Sequence, residues 1–187
     1  MTSLAVQPFS GTYSVQSPPS TFGFAVRHSG VFWFRGVLTD VTATLRGDGD
    51  AVALEGSARV ESISVAEPAA MRESVLGPEF FDTERHPEIA FSSTAVRLGD
   101  DGRAEVDGQL TIRGVTRPVS AIGRWAPSRA ASFGEIAGLE LHTRLDRREF
   151  GMDWQMELPD GGNAVSWEVE VDIDLLLKRE ATDEPVA

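Results

Sequence analysis

The chain has 187 residues, enough for one domain with a sizeable core, and 29 acidic against 17 basic residues leave a net charge of −12. That excess is repelled by phosphate backbones, which disfavours nucleic acid and, on the same ground, an anionic membrane surface. Cysteine is absent, which excludes disulfides, thiolate metal sites and cysteine nucleophiles.

Residues 1–10 show no periodicity and read as a loose tail, without the charged-then-apolar order of a secretory signal. Gly11 to Gln16 reads as a short strand that Ser17-Pro18-Pro19-Ser20 breaks. Thr21 to His28 alternates, with Phe22, Phe24, Val26 and His28 on one face. After Ser29-Gly30, an apolar-rich run from Phe32 to Leu45 changes parity near Thr39-Asp40, where a β-bulge would restore the face. Parity switches again between Val60 and Ile63, and between Phe91 and Val96. Repeated switches argue for strong curvature.

Pro68 suits a first helical turn, Ala69 to Leu76 are mostly competent helix formers, and Gly77-Pro78 ends the segment. Strands resume over Ala104 to Ile112, Thr116 to Trp125 and Leu139 to Leu145, with Ala126 to Ala137 as a long loop. Ala164 to Lys178 is the clearest strand: Val165, Trp167, Val169, Val171, Ile173, Leu175 and Leu177 take every odd position. At ~3.3 Å per residue it spans roughly 40 Å. Residues 180–187 read as a second tail. The expectation is an all-β chain with one short helix: an extended antiparallel β-barrel of about eight to ten strands over 11–179, with a β-sandwich as runner-up.

The inward face collects Phe22, Phe24, Val26, Phe34, Leu38, Phe91, Leu110, Ile112, Trp125, Leu141, Val165 and Trp167. They line a ligand pore or simply fill a core. Gly36, Gly56, Ala58, Gly108 and Ala121 on these faces leave lumen volume or mark bends. His28 shares the face of Phe24 and is placed to meet a ligand's polar head, whereas His86 in a turn and His142 on the opposite face read as exposed. No histidine spacing suits zinc, and no catalytic motif assigns a nucleophile, acid or base, so neither metal, cofactor nor enzymatic activity is expected. Glu168, Glu170, Asp172 and Asp174 form a flat acidic stripe, read as a solvated outer wall rather than a calcium site. Arg46-Gly47-Asp48 reads as a turn between strands.

Several stretches together resemble the YceI-like family of bacterial proteins. The most specific are Glu79-Phe80-Phe81-Asp82 with His86 to Thr94, and Gly108 to Val119. Tyr13 to Val15, Phe24 to His28, Arg35-Gly36 and Arg147 to Gly151 before Trp154 fit in the same order. The resemblance implies a lipocalin-like barrel whose apolar pore holds a long amphiphilic lipid, polyisoprenoid or quinone-like, for transport, storage or sequestration. Gln16, Pro19, Arg72 and Ser74 depart from the family's pattern of Asp and His. Many relatives are exported, whereas this sequence, with no visible signal, reads as cytoplasmic. An enzyme acting on such a lipid and a packed interaction module are the alternatives, and a homodimer is left open.

Overall fold

The computed structural model describes residues 9–49, 51–65 and 68–181. The alternating segments become ten antiparallel strands: β1 (Phe9–Val15), β2 (Thr21–His28), β3 (Phe32–Leu38), β4 (Val41–Gly49), β5 (Ala51–Arg59), β6 (Glu88–Leu98), β7 (Arg103–Ile112), β8 (Val115–Ala131), β9 (Gly134–Asp146) and β10 (Val165–Arg179). One helix, α1 (Ala69–Leu76), follows Pro68 and stops at Gly77. The strands run β1-β4-β5-β6-β7-β8-β9-β10 around the sheet, and β1 also pairs with β10. Those eight therefore close a lipocalin-like barrel. The β2–β3 hairpin adds to it at one end.

The closing seam depends on the length of β10. Its free edge takes β2 along Val165 to Asp174 and then β1 along Leu177 to Arg179. The break between β1 and β2 is fixed by Ser20, whose buried hydroxyl accepts from the Leu176 amide at 2.9 Å. β1 ends the barrel away from the hairpin. There Phe9, Tyr13, Leu98, Trp125, Leu139 and Leu177 pack into a closed floor, and Trp125 Nε1 donates to the Gly99 carbonyl at 2.8 Å.

Several expectations are corrected. Only one of the three parity switches is a bulge within a strand, the shift between Ser93 and Ala95 in β6. Thr39-Asp40 is a corner at which β3 ends and β4 begins, and Val60–Ser62 is a 3₁₀ turn. The expected loop from Ala126 to Ala137 is a hairpin, because a register shift between Ala126 and Arg129 absorbs Pro127 and pairing resumes to Ala131. Arg46-Gly47-Asp48 lies inside β4, paired with both β1 and β5. β1 begins at Phe9, within the expected tail, while residues 1–8 and 182–187 lie outside the described residues.

Inward glycines do not all enlarge the lumen. A Cβ on Gly36 would lie 2.4 Å from Phe24 Cζ, and one on Gly108 would lie 2.4 Å from Phe91 Cζ. Each glycine makes room for the aromatic ring on the strand beside it. The acidic stripe lies outside and is partly balanced from β9: Arg144 approaches Glu170 at 3.3 Å, and His142 Nδ1 lies 2.8 Å from Asp172. His86 is half-buried against Gly114 rather than exposed.

Candidate functional site

Alternation along β2, β3 and β10 aims one face of each strand into the barrel, and at the hairpin end these faces do not meet. They surround a cavity of about 450 Å³, within the usual range for small-molecule sites. Phe22, Phe24, Val26 and His28 of β2, Phe34 of β3, and Val165, Val169 and Val171 of β10 form one side. Ala70, Met71, Ser74 and Val75 of α1 form a cover, continued by Phe80 and Phe81. Phe150, Met152, Trp154 and Met156 border the rest. Met156 is both a lining residue and 54% exposed, which puts the mouth beside it.

A second void of about 70 Å³ shares Phe22, Ile89 and Val171 with the first and reaches further along the barrel, past Phe91, Leu110 and Leu141. The pair forms an apolar path that narrows toward the floor. Phe24 sets its upper wall, its ring centroid 5.9 Å from that of Phe81 and 6.4 Å from that of Phe34.

Of the thirteen residues expected to face the pore, Phe22, Phe24, Val26, His28, Phe34, Ile112 and Val165 line the larger cavity, and Phe91, Leu110 and Leu141 the smaller. Three do not. Leu38 is fully buried where β3 bridges Ile63, and Trp125 belongs to the closed floor. Trp167 falls in the register shift between Val165 and Val169, where four steps on β10 oppose two on β2. Its ring stacks instead against the guanidinium groups of Arg147 at 4.3 Å and Arg148 at 4.9 Å.

The lining from α1 and from 150–156 lies outside the sheet, so strand alternation did not single it out. Met152, Trp154 and Met156 do sit at every second position, a pattern legible in the sequence. α1 buries no residue of its own, and Arg72 ties it down by donating to the carbonyls of Glu61 at 2.8 Å, Ile63 at 3.0 Å and Val65 at 3.3 Å.

Among the described residues the polar lining groups are few: His28, Ser74, Arg147 and the indole of Trp154. His28 Nδ1 lies 3.1 Å from Ser29 Oγ, and its ring stacks on Phe32 at 5.0 Å. Among the described residues no carboxylate bonds the imidazole, so the Ser29–His28 contact lacks the third group that orients a catalytic base. Arg147 is 2% exposed and donates to three backbone carbonyls, those of Met152, Val165 (3.3 Å) and Ser166 (2.9 Å). It thereby stitches the 151–164 segment to β10. Burial pushes its pKa below the usual arginine value, opposed by the charges of Asp146 and Asp153. No three His, Asp or Glu side chains converge as a metal site among the described residues.

Fold and cavity together define a lipocalin-like β-barrel with one closed end and an apolar lumen. The YceI-like domain model matches residues 13–177, and the chain belongs to that family. It is 31% identical over 102 residues to a UPF0312 protein of Pseudomonas putida strain W619, a match covering 54% of this chain and about half (50%) of that relative. Protein YceI of Escherichia coli O157:H7 is 26% identical over 132 residues, 69% of each chain. Among solved structures, BcnA of Burkholderia cenocepacia superposes with a TM-score of 0.71 at 18% identity, over 87% of this chain and 98% of that one. A polyisoprenoid binding domain from Saccharophagus degradans gives 0.61 at 12% identity, over 95% and 100%. At these identities the structures bear on fold alone.

Proposed function

We propose that the barrel binds the chain of a long amphiphilic lipid of the polyisoprenoid class, without covalent chemistry, and so stores or carries it. The observation behind this reading is the apolar path from the Met156 mouth past Val171 toward the floor. Burial supplies the affinity. Each methylene withdrawn from water contributes about 0.8 kcal/mol, so ten of them give about 8 kcal/mol, a micromolar constant before the costs of ordering the chain. The polyisoprenoid-binding neighbour supports the choice of lipid class. The lipid's polar end would lie at the mouth, with His28 and Ser74 among the polar lining side chains free to meet it, since the buried Arg147 is engaged by backbone carbonyls.

Organic extraction of protein purified without detergent, followed by mass spectrometry, tests the proposal. A stoichiometric isoprenoid or long-chain lipid is expected. A barrel that yields none and takes up neither isoprenoid alcohols nor acyl probes would overturn it.

A further inference from the structure

The net charge of −12 is unevenly spread: none of the 29 acidic residues precedes Asp40. The β2–β3 hairpin therefore carries Arg27, His28 and Arg35 with no carboxylate. Its tip exposes apolar side chains, Val31 at 77% and Phe32 at 49%. One position behind the tip, Trp33 takes the guanidinium of Arg27 at 4.4 Å from its ring centroid and that of Arg35 at 5.5 Å.

This tip also borders the cavity mouth. The Ser29 amide donates to the carbonyl of Ala164 at 2.7 Å, Phe32 stacks on His28, and Met156, a further exposed apolar side chain, borders the same cavity. Apolar residues at a tip, backed at once by tryptophan and arginine, follow the order of a bilayer interface: hydrocarbon edge, then the headgroup layer with its phosphates. Overall charge does not cancel such a patch, because at 0.1 M salt charges more than about 10 Å away are largely screened. The 151–164 side of the mouth bears Asp153, Glu157 and Asp160, so contact with an anionic surface would be led by the hairpin.

We propose that the β2–β3 hairpin docks the barrel on an anionic phospholipid membrane. Val31 and Phe32 enter the apolar edge of the headgroup layer, and Arg27 and Arg35 meet lipid phosphates beside Trp33. The mouth then faces the bilayer, and a chain passes between lipid and lumen without crossing water. That last step rests on the lipid-binding reading above; the docking does not.

Co-sedimentation with phosphatidylcholine vesicles, with and without phosphatidylglycerol, tests the docking. The intact protein should pellet with the phosphatidylglycerol vesicles. Arg35→Glu should weaken this about fivefold or more, and Val31→Asp about tenfold. Arg46→Glu, an exposed change on β4 away from the hairpin, should leave it unchanged. Lack of pelleting by the intact protein, as a protein partner for the hairpin would give, overturns the proposal. So does equal pelleting by Val31→Asp, or an equal loss in Arg46→Glu. Uptake of an alkyl probe in vesicle-free solution is read separately on the same variants and should persist. Its absence from every form, with vesicle binding intact, would count against the lumen reading and leave the docking standing.

Discussion

Val171 stands between the two voids, 2% exposed and in contact with both, so it controls how far a chain can descend. Val171→Phe adds four side-chain carbons at that point and should fill the lower void. At ~24 cal/mol per Å³, the lost filling of about 70 Å³ amounts to about 1.7 kcal/mol, or roughly 17-fold in Kd. Only ligands long enough to reach below Val171 should lose it. Dissociation constants for isoprenoid alcohols of increasing length, measured by displacing a fluorescent apolar probe, separate the cases: short members bind both proteins alike, long members bind the variant more weakly. A thermal melt checks that the barrel survives, as a side chain that occupies existing space should allow. An equal loss at every length, or none at any length, would refute the two-part path.

Gly108→Ala would put a methyl group 2.4 Å from Phe91 and 2.5 Å from the Ser92 carbonyl, and should cost about 1–3 kcal/mol, seen as a lower urea midpoint with unchanged slope. Arg147→Met leaves the Met152, Val165 and Ser166 carbonyls without their shared donor; hydrogen bonds to a charged group being worth about 1.5–3 kcal/mol, amide exchange should rise across 151–164, and unchanged protection would refute the stitching role. At the floor, hydrogen bonds from Ser128, from Arg179 at 2.8 Å and from Tyr13 at 3.1 Å hold the Glu135 pKa down at about 2 against its ordinary 4.5. A depressed folded-state value stabilises fully above pH 4.5 and is lost as pH falls toward about 2. The Tm difference between the native protein and Glu135→Gln should thus be widest above pH 4.5 and shrink on acidification, and a gap independent of pH would refute this.

Alternation made the faces legible but not the depths. β10 was readable because seven apolar residues in strict period two leave no other regular structure open, and α1 because Pro68 and Gly77 bracket eight residues that are mostly helix formers. Ten of the thirteen expected pore residues border the two voids for the same reason. Trp125 has the right parity but stands at the floor, since period two gives the side of a strand and not the height along it. Trp167 has the right parity too. The bulge that turns it away lies in the pairing with β2, and a count of residues on one strand cannot show it. Pairing decided the parity switches as well: Thr39-Asp40 and Val60–Ser62 proved to be ends of strands, while the Pro127 shift came where a loop was expected.

The two ends of the barrel differ in what holds them, and this places the site. At the floor β1 is hydrogen-bonded to β4 and β10 at once, with Phe9, Tyr13 and Trp125 packed across the opening. At the mouth the wall passes from sheet to α1, whose Met71, Val75 and Leu76 are only partly buried and which the Arg72 bonds tie down, and to the 151–164 segment, held by Arg147. Segments with few buried contacts open at lower free energy than paired strands. Entry therefore belongs to the end where the sheet is incomplete, beside the β2–β3 hairpin, which carries Arg27 and Arg35 and no carboxylate.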